Sequence, residues 1–419
     1  MTPVKFILLN IYTHQRICVA IVLLITFNYG ADAAEHSIRP TIAVSEEYTD
    51  NVFETRANKR GDFITRILPG IDLKYKAPLW DWGLEYFFDY RYYAKGSRND
   101  DTTHNINAKG LVKIIDEKLF LEVSDVYKRV SLDVSRDTTN ESLFLNQSDQ
   151  NVGTVSPYLV LRPNPRLTVR TGYRYINTWY KDPQAISRQD HAVFIDSAFE
   201  LSPKFFLTSG YTFTREEASR NSLYRHEAYI GPRYEYAEKS FIFAQGGAII
   251  SDYDNRAETV NPSWNAGITH TFDTMTATIS TGVKYSEDPL STATLETTYA
   301  ATITRNLKQG MVTLLGSYSE FSDATTDILN NKRYSGGFTS HYEILQDLRG
   351  SLGLTYEYYT NEPLAANTRK YFVDSGLNYT MGKDITIGLT YRYIDYSSEK
   401  IAIDNKQVNR AILEVRKVF

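Results

Sequence analysis

The chain has 419 residues, with 46 Lys and Arg against 50 Asp and Glu, a net charge of −4 and a pI near 6.0. That balance leaves no basic footprint for nucleic acid. The mean hydropathy of −0.38 and the absence of any long apolar run beyond Phe27 exclude a bundle of spanning helices, while 32 Tyr and 20 Phe supply aromatic surface in abundance.

Residues 1–33 read as a secretory signal. Lys5, His14 and Arg16 give a basic start, and Ile17 to Phe27 is an apolar run too short to span a bilayer. Ala31-Asp32-Ala33 puts small residues at the cleavage positions, so the mature chain is expected to begin at Ala34. Cys18, the only cysteine, lies inside this signal with most of the apolar run after it, which excludes a lipoprotein acceptor. The mature chain then has no thiol to mispair in an oxidising periplasm.

From Ile38 onward the pattern alternates with period two. Trp80 to Tyr93 is the clearest case: Trp80, Trp82, Leu84, Tyr86, Phe88, Tyr90 and Tyr92 share one face, with Asp81, Gly83, Glu85, Phe87, Asp89, Arg91 and Tyr93 on the other. Such a strand separates oil from water, and its terminal aromatics suit the two lipid interfaces. Thr103 to Asp116 alternates more weakly. Leu167 to Trp179 turns Leu167, Val169, Thr171, Tyr173, Tyr175 and Trp179 outward. Met275 to Tyr285 does so with Met275, Ala277, Ile279, Val283 and Tyr285. Ile385 to Tyr393 repeats the pattern with Ile385, Ile387, Leu389, Tyr391 and Tyr393.

Breaks between strands alternate short and long. Pro163-Asn164-Pro165, Ser202-Pro203, Glu238-Lys239, Asp273-Thr274, Gln346-Asp347 and Gly382-Lys383-Asp384 are tight turns. Residues 95–105, 135–149, 322–332 and 361–368 are longer polar loops. The expected fold is therefore all-β: an antiparallel up-and-down transmembrane barrel of about 20 strands, in the range ~16–20, as one domain over residues 34–419. Its place is the Gram-negative outer membrane. The last strand, Gln407 to Phe419, carries Leu413, Val415 and Phe419 on one face. It resembles the C-terminal signal read by the barrel-assembly machinery, with Lys417 interrupting the apolar series.

Strand parity sends Glu85, Asp89, Arg91, Arg170, Arg174, Asp196, Arg225, Glu227, Arg233, Glu235, Glu357, Asp374 and Arg392 inward. These residues either line a water-filled passage or pair with one another across neighbouring strands. The arginines suit carboxylates and phosphates, and inward Tyr93, Tyr229 and Tyr359 could stack on sugar rings. An outer-membrane lipid hydrolase needs a histidine beside a serine on the lipid face. His191, His226 and His270 read as outward, and Ser251 beside His226 is the one candidate pair. No glycine-serine motif flanks it, no Cys/His ligand set or phosphate loop occurs, and neither an enzyme, a metal nor a cofactor is expected. Asn140-Glu141-Ser142 and Asn146-Gln147-Ser148 read as polar loop.

The run Ile38 to Phe53 (IRPTIAVSEEYTDNVF), followed by Asp62 to Tyr75 (DFITRILPGIDLKY), resembles the opening of the porin-2-like family of outer-membrane β-barrel porins. The likeness rests on Glu47-Tyr48-Thr49-Asp50-Asn51-Val52-Phe53 and on Asp62-Phe63-Ile64-Thr65-Arg66, under a tenth of the chain. Members are often associated with exopolysaccharide and exosortase-type gene clusters. The resemblance implies an outer-membrane barrel serving passage of polar solutes or polysaccharide export, with no catalytic residues. The expected partners are outer-membrane lipid, the assembly machinery, and polysaccharide or small polar solutes. The alternative is a non-conducting barrel whose outer loops bind a partner or polymer.

Overall fold

The computed structural model describes residues 34–419 except 134, 136–141, 143–145, 220–221, 256, 287–288, 291–292 and 403–404. The signal segment and Asn140-Glu141 lie outside the described residues. The strands are β1 (Glu35–Thr49), β2 (Asp62–Ala77), β3 (Trp80–Tyr93), β4 (Asp101–Ile115), β5 (Leu119–Ser131), β6 (Gln147–Asn164) and β7 (Leu167–Tyr180). They continue as β8 (Arg188–Ser202), β9 (Phe205–Ala218), β10 (Leu223–Ala237), β11 (Ser240–Tyr253), β12 (Thr259–Thr271), β13 (Met275–Ser286) and β14 (Thr294–Leu307). The last are β15 (Gly310–Asp323), β16 (Leu329–Leu345), β17 (Leu348–Asn361), β18 (Ala366–Met381), β19 (Ile385–Ser398) and β20 (Lys406–Val418).

Each strand pairs antiparallel with the next, and β1 pairs with β20, so one 20-stranded sheet closes on itself. Closure satisfies the backbone of both edge strands, which oil on the outside requires. β1 and β20 have their free ends at the short-turn rim, which is the periplasmic rim of such a barrel. There Gly382, at φ 66°, supplies the left-handed residue of the three-residue turn between β18 and β19.

Outward positions form three belts. Ile42, Val44, Ile195, Ile242, Ile268, Ile279, Leu314 and Leu389 are exposed along the middle of the wall. Tyr75 stacks on Trp82 at 5.7 Å, and Phe205 lies 6.3 Å from Tyr234, in the belt nearer the short turns. Tyr299, Tyr318, Tyr334 and Tyr358 follow one another across β14–β17 in the belt nearer the long loops, with centroids 4.7–6.2 Å apart. Aromatic rings there sit half in oil and half in the headgroups. Ile279→Arg is expected to cost about 2–4 kcal/mol of barrel stability, whereas Ser280→Arg on the wet face is tolerated. Urea unfolding of the two variants in lipid vesicles measures the difference.

A repeated hairpin builds part of this wall. The hydroxyls of Tyr86, Tyr173 and Tyr211 lie 3.0, 2.6 and 2.8 Å from Nδ1 of His104, His191 and His226, respectively. In each case the histidine is directly opposite an aromatic residue: Phe88, Tyr175 or Phe213. The β19–β20 hairpin puts Asn409 in the same place, bonded to Tyr391 at 2.7 Å. These three outward histidines are thus satisfied by tyrosine hydroxyls on the same face.

Strands run further than turn residues in the sequence suggested. β4 begins at Asp101, β6 at Gln147, β16 at Leu329 and β18 at Ala366, each inside a segment read as loop. Polar strand tops continue the ladder above the oil, where alternation no longer marks them.

Candidate functional site

The lumen is the candidate site, and it changes character along its length. Toward the short turns inward side chains are wetted: those of Arg233 and Glu235 on β10 are 42% and 45% exposed, and Tyr229, midway along the same strand, is 37% exposed although it faces inward. Near the long loops they are packed away: Ser251 and Glu216 are 0% exposed. The difference comes from elements that fold into the outer mouth.

The largest is the tip of the β13–β14 hairpin. The β12–β13 ladder stops at Asn265 and Gly282, while β13 and β14 remain paired out to Ser286 and Thr294. Released from β12, this ribbon bends inward. Tyr285 then lies beneath the Arg225 guanidinium, 4.3 Å from its ring centre, and Val283, Tyr285, Ala293 and Leu295 pack on Ile249 and Ala324. Parity alone had sent Val283 and Tyr285 outward to lipid; the bend corrects that, because those side chains meet the inward face of β10 and β11 instead. Further bonds knit the surrounding segments of the mouth together. The Ile186 amide donates to the Pro289 carbonyl at 2.7 Å, Asn261 Nδ2 donates to the Ala324 carbonyl at 3.2 Å, and Arg333 Nη1 donates to the Ser135 carbonyl at 3.0 Å.

The buried ions of the mouth are paired, as burial of charge requires. Arg225 binds Glu216 at 3.2 Å and Glu227 at 2.5 Å. Asp89 receives Arg66 at 2.7 Å and Arg91 at 2.9 Å. Lys370 meets Glu357 at 2.5 Å, and Tyr359 donates to the same carboxylate at 2.6 Å. Lower down, Arg392 binds Asp374 at 2.6 Å and Arg233 binds Glu235 at 3.4 Å. Glu85 lies opposite Asp72 and accepts a long bond from Asn107 at 3.4 Å. At the rim Glu362 accepts from Thr360 and pairs with Lys332 at 3.3 Å; both contacts hold its carboxyl below the usual range.

Sequence reasoning missed a second network, at the seam between β1 and β20. Glu54, in the β1–β2 loop, receives Lys406 Nζ and Arg410 Nη2, each at 3.0 Å, and Arg410 also approaches Glu47 at 3.5 Å. The loop is held there by Asn51, whose Nδ2 donates to the Gln407 carbonyl at 2.9 Å, and by Asp50, which accepts from Asn409 at 2.7 and 2.8 Å. Val52 packs with Ile64 and Tyr93. The stretch Glu47 to Phe53, singled out above, is therefore largely the lock on barrel closure. On the same seam Leu413, Val415 and Phe419 are exposed on the outer face, and the Phe419 amide donates to Pro40 at 2.9 Å.

A third feature was also missed. Phe120 on β5 stacks on Tyr158 of β6 at 5.1 Å. The Arg170 guanidinium lies 4.3 Å from the Tyr158 ring centre and 5.3 Å from that of Phe194, and Arg174 lies 4.9 Å from Phe194. Gly172 sits between them because a Cβ there would lie 2.4 Å from the Pro157 carbonyl and 2.6 Å from Tyr158 Cβ. Gly172→Ala should cost about 1–3 kcal/mol in thermal unfolding, since backbone has to shift. Alternation of aromatic and apolar residues in β5 and β6 gave no hint of which rings face inward.

The hydrolase pair fails on geometry. Ser251 faces inward opposite Arg225, while His226 is outward and bonded to Tyr211, so the barrel wall separates them. Of the tyrosines expected to present rings to sugars, Tyr93 and Tyr359 are buried and Tyr229 alone stays open, donating to Asp196 at 3.3 Å.

Solved structures share this architecture. The FrpB iron transporter from Neisseria meningitidis matches with a TM-score of 0.53 at 9% identity, over 91% of this chain and 82% of that one. The siderophore receptor PirA from Pseudomonas aeruginosa matches with a TM-score of 0.50 at 11% identity, over 91% and 80%. OpdQ from Pseudomonas aeruginosa gives 0.47 at 12% identity, over 92% and 99%. No family model and no curated protein matches the sequence. At these identities the likeness is one of fold: this chain is a closed, multi-pass antiparallel β-barrel of the Gram-negative outer membrane.

Proposed function

We propose that the barrel is a passive pore for polar solutes with a narrowed outer mouth. The observation that carries this reading is the wet lower lumen, marked by the exposed inward Arg233 and Glu235, beneath a mouth where Glu216 is fully covered. A hydrated interior lowers the barrier to a polar solute, and a crowded charged constriction selects by size and charge. A wall of this circumference leaves more room than its own side chains fill. Glu85, Asp89, Arg91, Arg225, Glu227, Arg233, Glu235, Glu357, Asp374 and Arg392 then line or brace the passage, chiefly as ion pairs. The resemblance at Glu47 to Phe53 and Asp62 to Arg66 supports a finer reading, in which the solute is a polysaccharide on its way out. Leu413, Val415 and Phe419 serve recognition by the assembly machinery.

The packing of the β13–β14 tip on Ile249 and Ala324 favours a second reading, a barrel that conducts nothing and acts through its outer loops. Planar-bilayer recording separates the two. Steady ohmic steps from the purified mature barrel support the pore. Silence, both in the wild type and in a variant with a loosened mouth, leaves the structural barrel.

A further inference from the structure

We propose that Arg170 and Arg174 form a binding step inside the lumen for a carboxylate-bearing solute. This deepens the pore reading and rests on it for access. Arg66, Arg91, Arg225, Arg233, Arg333, Lys370, Arg392, Lys406 and Arg410 all stand on inward faces, and each has a carboxylate within ion-pair distance. Arg170 and Arg174 make no such pair among the described residues. Asp196 is directly across the ladder from Arg170, but its bonded partner is the Tyr229 hydroxyl. Arg170 Nε is buried without a hydrogen-bond acceptor.

Instead of acids, rings hold these two cations. Tyr158 and Phe194 both lie within cation–π reach of the Arg170 guanidinium, and Phe194 also takes Arg174; the two arginines flank Gly172, which is directly opposite both rings. Stacking on rings orients a guanidinium plane while leaving its N–H edge unused. An acceptor must then approach in that plane. A flat carboxylate does so with both oxygens on one fork, whereas a phosphate, though it can use the same fork, carries further oxygens out of that plane toward the rings. The neighbouring Phe120 and Tyr158 pair extends the platform, so the solute's uncharged part has an apolar face to lie against.

Calorimetric titration of the folded, detergent-solubilised barrel with glucuronate, glucose 6-phosphate and glucose tests this. Glucuronate should bind at least about ten-fold more tightly than either of the others, and Arg170→Gln or Arg174→Gln should each weaken it about ten-fold. Arg174→Lys keeps the charge and loses the fork, so it should lose most of that affinity too; it stands in if a Gln variant does not fold. Equal binding of glucose, a preference for the phosphate, or unchanged affinity in the variants overturns the proposal. Conductance recorded on the same preparation keeps the two readings apart. A silent barrel that binds glucuronate through Arg170 sinks the pore alone, and a conducting barrel that ignores it sinks this site alone.

Discussion

Arg410→Ala is expected to destabilise the barrel by about 3–5 kcal/mol, the usual cost of breaking a buried ion pair by removing one partner. Arg410 and Glu54 are 3% and 0% exposed, so water cannot replace the lost bond. Glu54 would keep Lys406 at 3.0 Å, but Glu47 would lose the guanidinium that stands 3.5 Å from it. The position matters as much as the pair. β1 and β20 have no turn to hold them together, and Glu54 is 356 residues from Arg410 in sequence. The network does locally what a tight turn does for every other hairpin. Arg410→Lys, with charge but no fork, should fall between wild type and Ala. Urea unfolding followed by tryptophan fluorescence reads the loss, and heat-modifiable gel migration confirms that each variant reaches the barrel state. A cost under about 1 kcal/mol, the size seen for exposed pairs, would mean that the seam does not depend on this network.

Tyr285→Ala combined with Leu295→Ala is expected to raise single-channel conductance by about two-fold or more, because both side chains anchor the inward ribbon at a constriction. Their removal takes contacts from Arg225, Ile249 and Ala324 but none from the strand ladders. The barrel should therefore survive, with the cost confined to the cap. Arg225→Ala is a poorer choice, since it strands Glu216 as an unpaired charge in a dry site. Unchanged conductance in the double variant would show that the narrowest point lies elsewhere. Tyr234→Ala, on the lipid-facing belt nearer the short turns, should leave conductance as it is and serves as the control for general loosening.

The closed antiparallel wall was legible because its physics is periodic. Oil on one face imposes alternation over residues such as Trp80 to Tyr93, and no tertiary accident disturbs it in the bilayer. Parity accordingly placed Asp89, Arg225, Glu357 and Arg392 on inward faces, where they pair with neighbours across the ladder. It failed where a strand leaves its neighbour. Tyr285 has the parity of a lipid-facing residue, and only the end of the β12–β13 ladder reveals that its ribbon has turned. Ser251 was misplaced by a simpler error of phase, since a single step moves a side chain through the wall. The seam lock was not readable as such: Glu54 sits in a loop whose partners lie at the far end of the chain. Arg170 and Arg174 were legible as inward cations, but their lack of acidic partners depends on where Asp196 and Tyr229 direct their polar atoms.

The turning of the β13–β14 ribbon also leaves a notch in the outer rim. From Thr259 to Trp264, β12 keeps its ladder with β11 and has none with β13. A bare strand edge invites another chain to add itself, and open edges are a common route to aggregation. Pro262 lies in the middle of this stretch, where the missing N–H removes one donor from the edge, and Asn261 is tied to the Ala324 carbonyl. The molecule can thus draw a hairpin out of its wall without offering the gap as a template for its own association.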